Sequence, residues 1–184
     1  HADGWLEVGA SGLSPDQLLP RARSVVRLVR ALTHEAERPW RELADQLGLS
    51  LGGVVHGRPM ISGSVGLLDL LVQHTGSGLL VVLGRRLGPL ALAHRDHPLT
   101  GLPVCRIQDP VLGMLLQARG TAGPLLRDAE RVKKLLPALH GHPGSVLDGK
   151  GLRMHARDLD AGACEAILLA VEALCGPDIE GLTR

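Results

Sequence analysis

The chain has 184 residues, 45% of them hydrophobic, with 20 basic and 19 acidic side chains for a net charge of +1. That length buries a full core in one domain, or in a small helical module plus a second domain of about 120 residues, while the balanced charge excludes a global field drawing in DNA or an acidic membrane. Phe, Tyr and Asn are absent and Trp5 and Trp40 are the large rings, so aromatic stacking on single-stranded bases is disfavoured.

The missing residue types share AT-rich codons, and a GC-rich gene accounts for them, as it does for 17 Arg against 3 Lys. In chain order, Trp5, Leu6 and Val8 between glycines predict a short extended arm or edge strand over residues 1–13. Ser14, Pro15, Asp16 and Gln17 read as a helix start, with a serine cap, proline in the first helical position and glutamine three residues after the cap. Pro20 limits that turn, and a helix over residues 21–35 follows. Arg23, Arg27 and Arg30 share one face of it. They read as a solvated face that turns Val25, Val26, Leu28, Val29 and Leu32 inward, or as a stripe touching phosphates.

Pro39 opens the next helix, within the stretch RPWRELADQLGLSLGGVVHGR from Arg38 to Arg58. Leu43 and Ala44 fall on its inner face. Gly48 takes the left-handed conformation that ends a helix, Ser50 caps a second helix, and Val54 lies inside that second helix. This stretch resembles the helix-turn-helix of bacterial transcription regulators, whose second helix enters the major groove. The resemblance implies DNA contacts from Arg23, Arg27, Arg30, Arg41, Ser50, His56 and Arg58. The same stretch, with Trp40 ahead of Leu-Ala and Leu-Gly-Leu and with GRPMISGSVGLLDLLVQHTG from Gly57 to Gly76, also resembles a death-fold adaptor domain. A plain amphipathic helix burying Trp40, Leu43, Leu47 and Leu49 is the third reading.

Gly57 to Gly63 is a joint between modules. Val65, Leu67, Leu68, Leu71 and Val72 make a helical stripe, and TGSG then turns the chain into LLVVL, read as a strand. A turn from Gly84 to Pro89 leads to LALA, its partner strand. The order helix, strand, turn, strand in SVGLLDLLVQHTGSGLLVVLGRRLGPLALA resembles the opening of GAF-like sensory domains. His94 to Pro103 is a polar loop, and Pro110 opens a helix through Gln117 that ends at Gly120. A helix from Pro124 stops near Pro137, Leu152 to Ala156 is a strand, and Asp160 caps a closing helix through Leu174.

His94, His97 and Cys105 offer nitrogen and sulfur ligands of the kind zinc uses, with His140 and His142 in a second loop, but no CxxC or HExxH spacing is present and loop histidines account for them. Cys105 could act as a nucleophile with a nearby His oriented by Asp96 or Asp109, against a buried, inert thiol between Val104 and Ile107. Neither GxGxxG nor GK[ST] occurs, so no cofactor is expected. Three cysteines at irregular spacing fit a reducing cytoplasm, and the longest apolar runs are far below the roughly 20 residues that cross a bilayer.

The sequence therefore predicts an α+β, helix-dominated fold: a helical module over residues 1–60 and a mixed domain with a small sheet over 61–184. The expected function is a DNA-binding transcription regulator acting as a homodimer, whose second domain senses a small-molecule effector or dimerises, with no membrane partner. An interaction adaptor is the alternative and a small enzyme using the His and Cys loops the third.

Overall fold

The computed structural model describes residues 15–55, 58–121 and 123–175. They form α1 (Pro15–Gln46), β1 (Leu51–Val55), β2 (Arg58–Val65), β3 (Leu68–Thr75), β4 (Gly78–Gly84), β5 (Leu90–His94), β6 (Val104–Cys105), α2 (Pro110–Leu115), β7 (Leu116–Gly120), α3 (Pro124–Arg127), α4 (Ala129–His140), β8 (Val146–Asp148), β9 (Gly151–Ala156) and α5 (Ala161–Cys175). The chain divides into two compact units, residues 1–38 and 39–184. The first contributes α1 up to Arg38, and the expected arm over residues 1–13 lies outside the described residues.

The second unit is organised by one nine-stranded sheet in the order β1-β2-β3-β4-β9-β8-β5-β7-β6, antiparallel at every pairing. A helix-dominated fold with a small sheet is thereby overturned. The reason lies in Val65–Val72, where the apolar spacing satisfies two periods at once. A two-residue turn at Gly66-Leu67, with Gly66 at φ 60, breaks the helical stripe. Leu68, Leu70 and Val72 then alternate into the core along β3, and Leu67 is left exposed at the turn. The helix on which the GAF-like order rested is therefore a strand, and the later part of the death-fold resemblance, residues 58–75, forms β2 and β3, while its Trp40, Leu43 and Ala44 lie on α1.

Within the second unit, α1 contributes Trp40, Leu43 and Ala44 to the core. It ends as expected: Gly48 takes φ 67 and Leu49 N donates to Ala44 O at 2.8 Å. Ser50 caps nothing helical. Residues 51–55 are β1, with Val54 70% exposed, so the second helix of the helix-turn-helix is not formed. Gly52, Gly53 and the β-branched pair Val54-Val55 explain it, since glycines weaken a helix and valines favour a pleated ribbon. Residues 60 and 61 are neighbours inside β2.

Three prolines expected to delimit helices do not. α1 runs through Pro20 and Pro39, and α4 runs through Pro137 to His140. Each removes one backbone hydrogen bond. Burial of Trp40 and Leu43 beyond Pro39, and of Ala138 and Leu139 beyond Pro137, offsets that loss. The expected helix from Pro110 is cut to six residues, and Leu116–Gly120 become β7, because Leu116 and Ala118 alternate with Gln117 and Arg119 at the period of a strand. LLVVL and LALA are strands as expected. They are not partners, since β4 pairs with β3 and β9 while β5 pairs with β7 and β8.

One face of the sheet carries α4 and α5, which pack side by side. Ala163, Ala166, Ala170 and Ala173 are all buried on α5, and such short side chains allow the close approach. Asp160 caps α5 as the sequence predicts, its Oδ1 accepting from Ala163 N at 2.8 Å. Among the described residues no helix is long and apolar enough to cross a membrane.

A candidate anion-binding cleft

The far end of the sheet builds a cleft of about 500 Å³ from β6, the segment after it, α2, β7 and Arg95. Asp109 organises this corner. Its Oδ1 accepts from Val111 N at 2.8 Å and Leu112 N at 3.1 Å, and Pro110 takes the first helical position, so the short helix starts against the cleft. The chain reverses directly into β7, where Val104 pairs with Arg119 and Cys105 with Ala118. The Gln117 amide donates to the carbonyls of Arg95, at 2.9 Å, and His97, tying the segment after β5 to β7.

Three guanidiniums line the cleft, those of Arg95, Arg106 and Arg119, and among the described residues no carboxylate does. Arg119 Nη1 donates to Leu102 O at 2.9 Å, while its Nε is buried without an acceptor among the described residues. Arg95 makes one long bond, Nη1 to Met114 O at 3.4 Å. Arg95 and Arg106 are exposed and Arg119 is half-buried, so a bound anion meets two solvated guanidiniums and one partly desolvated guanidinium, to which it adds charge-assisted hydrogen bonds. Met114 and Val104 add apolar surface, 60% and 78% exposed, beside the cations. Chemically, the cleft suits a carboxylate or phosphate head with an attached apolar portion.

A second, polar hollow of about 420 Å³ lies at the β3–β4 turn, between Arg58, His74, Ser77, Arg157 and Asp158. His74, tilted against Trp40 at 5.8 Å between ring centres, bonds Asp158 Oδ1 through Nε2 at 3.0 Å. That hydrogen bond, and a second from Leu159 N at 2.9 Å, hold the Asp158 carboxyl below the usual carboxylate range.

The residues singled out from the sequence are scattered by comparison. Arg23 and Arg27 are exposed on α1 in the first unit, where Arg30 also falls, while Arg41 is exposed on α1 in the second unit. Ser50 is exposed between α1 and β1, and Arg58 begins β2 and borders the polar hollow. His56 lies outside the described residues. His94 ends β5 and stacks on His140 at 4.9 Å, with its Nδ1 3.7 Å from Asp96 Oδ2. Cys105 instead lines the arginine cleft. Among the described residues no group of three or more His, Cys, Asp or Glu is placed to hold a metal.

Sequence reasoning missed Arg95, Arg106 and Arg119. One signal was present: the alternation Leu116-Gln117-Ala118-Arg119 sets Gln117 and Arg119 together on the face opposite the core. No protein-family model, curated protein or solved structure matches the chain.

Proposed function

We propose that residues 39–184 are a binding module for a small organic anion, held in the cleft of Arg95, Arg106 and Arg119. The observation that carries this reading is the lining itself, three guanidiniums without a carboxylate in a chain whose net charge is only +1. A volume of about 500 Å³ suits a metabolite-sized ligand. The regulator expected from the sequence keeps its sensing half in this reading. Its DNA-reading half has no second helix to enter the major groove, so no base contacts are assigned to Ser50 or Arg58.

Titration calorimetry with citrate and with inorganic phosphate tests the proposal. Binding of either probe is expected, and Arg119→Gln removes one charge-assisted contact worth about 1.5–3 kcal/mol, weakening affinity roughly 10- to 100-fold. Absence of heat from both probes, or equal affinity in wild type and Arg119→Gln, would sink the assignment. Arg153→Gln, on the exposed face of β9 outside the cleft lining, is the control expected to bind normally.

A further inference from the structure

The first compact unit carries a feature that anion binding does not use. In α1, Leu18, Ala22, Val25, Val29, Leu32 and Ala36 fall at intervals of four, three, four, three and four residues. That is the a and d spacing of a left-handed helix pair, sustained over three heptads. The sequence alone turns Val25, Val26, Leu28, Val29 and Leu32 inward, under Arg23, Arg27 and Arg30. On the seam, Val29 is 40% and Leu32 59% exposed and Val25 is half-buried, while Val26 beside it is 50% exposed. Arg23, Arg27 and Arg30 occupy the b and f positions, on the side away from the seam.

We infer that this face docks on the same face of a second copy of the chain, as an antiparallel helix pair. Charge selects the occupant and its direction. Between residues 21 and 30 the helix has Arg21, Arg23, Arg27 and Arg30 and no acid, whereas residues 31–38 carry Glu35 and Glu37 against Arg38. An antiparallel partner lays the basic half of one helix along the acidic half of the other, and a parallel partner lays like on like. With Val25 of one copy beside Val29 of the other, position 28 meets its own symmetry mate and Glu35 falls opposite position 21. The intrahelical pair between Arg38 Nη1 and Glu35 Oε1, 3.2 Å apart, is exposed and readily exchanged for such a contact. The seam holds alanines and aliphatic residues with no aromatic ring, and Glu35 and Glu37 oppose an anionic lipid surface, so a bilayer is the poorer fit.

Light scattering and sedimentation of the full chain over a concentration series give the test. The expected species has twice the 19.4 kDa chain mass. Val29→Glu with Leu32→Glu, at two exposed positions, is expected to leave a folded monomer, checked by far-UV circular dichroism and melting. Glu35→Arg is expected to raise the dimer dissociation constant several-fold at low salt and less at high salt. A monomeric wild type at every concentration overturns the inference, whether or not it co-sediments with phosphatidylserine vesicles. A dimer untouched by Val29→Glu and Leu32→Glu places the interface elsewhere and overturns it as well. Indifference of the dimer to Glu35→Arg overturns the antiparallel direction.

Discussion

Arg85 is only 6% exposed, and its Nη1 donates to Leu174 O near the end of α5, leaving Nε and Nη2 without acceptors among the described residues. A cation beside a helix C-terminus gains about 0.3–1 kcal/mol, while each buried unmade hydrogen bond costs about 1–3 kcal/mol, so the losses outweigh the gain. Arg85→Met keeps the volume and discards the unpaired donors. It is expected to be neutral or to stabilise the fold by about 1 kcal/mol or more, measured by urea denaturation, and a clear loss of stability would contradict the unpaired reading. Asp158 makes the opposite case. Its carboxyl is held below the ordinary carboxylate range chiefly by the hydrogen bond from His74, so ionised Asp158 favours the folded state above that range. As pH falls through the ordinary carboxylate range toward the lowered folded value, Asp158 binds a proton more readily in the unfolded chain, and this contribution is lost. Melting temperature against pH should therefore fall more steeply on the acid side for wild type than for Asp158→Asn, with parallel curves counting against the coupling to His74.

At the scale of elements, the end of α1 and the cap of α5 were legible, and the short apolar runs LLVVL and LALA read correctly as strands, whereas the mixed periods elsewhere did not decide the element. Gly48 ending α1 and Asp160 capping α5 needed only local chemistry, a left-handed glycine and a side-chain acceptor for a free N–H. Val65–Val72 could not be decided that way, since its leucines and valines serve a helix or a hairpin equally until β2 and β4 pair on both sides of β3. Long-range pairing also overrides the expected partner of LALA: it pairs with β7, whose residues the local pattern assigns to the end of a helix. Gly120 closes β7 at φ 100, where a Cβ would collide with the Pro89 carbonyl, and its N–H donates to Pro103 O at 2.7 Å. That glycine looked like a helix terminator and is the point where β7 passes between two neighbouring segments. The arginine cleft was illegible for the same reason: Arg95, Arg106 and Arg119 lie on separate segments, and only the pairing of β6 and β5 with β7 gathers them.

For the whole molecule, the division at Pro39 separates two kinds of surface. Every buried hydrophobic residue among those described lies from Trp40 to Leu174, within residues 39–184. A body that holds the entire core and all nine strands has the burial needed for cooperative folding of about 150 residues. A chain beginning at Pro39 keeps Trp40, Leu43 and Ala44 on the remaining helical turns, with the proline in the first helical position where its missing N–H costs nothing. Residues 39–184 expressed alone are thus expected to unfold in one transition, within about 4 °C of the full chain, since that interval corresponds to roughly 1 kcal/mol at this size. Differential scanning calorimetry of both chains at matched low concentration checks it. A fragment that aggregates or melts well below the full chain would mean that residues before Pro39 are part of the folding unit. The anion cleft should also survive the truncation, because Arg95, Arg106 and Arg119 all lie within the retained body. Citrate affinity equal in fragment and full chain would then separate binding from any role of the helix in association.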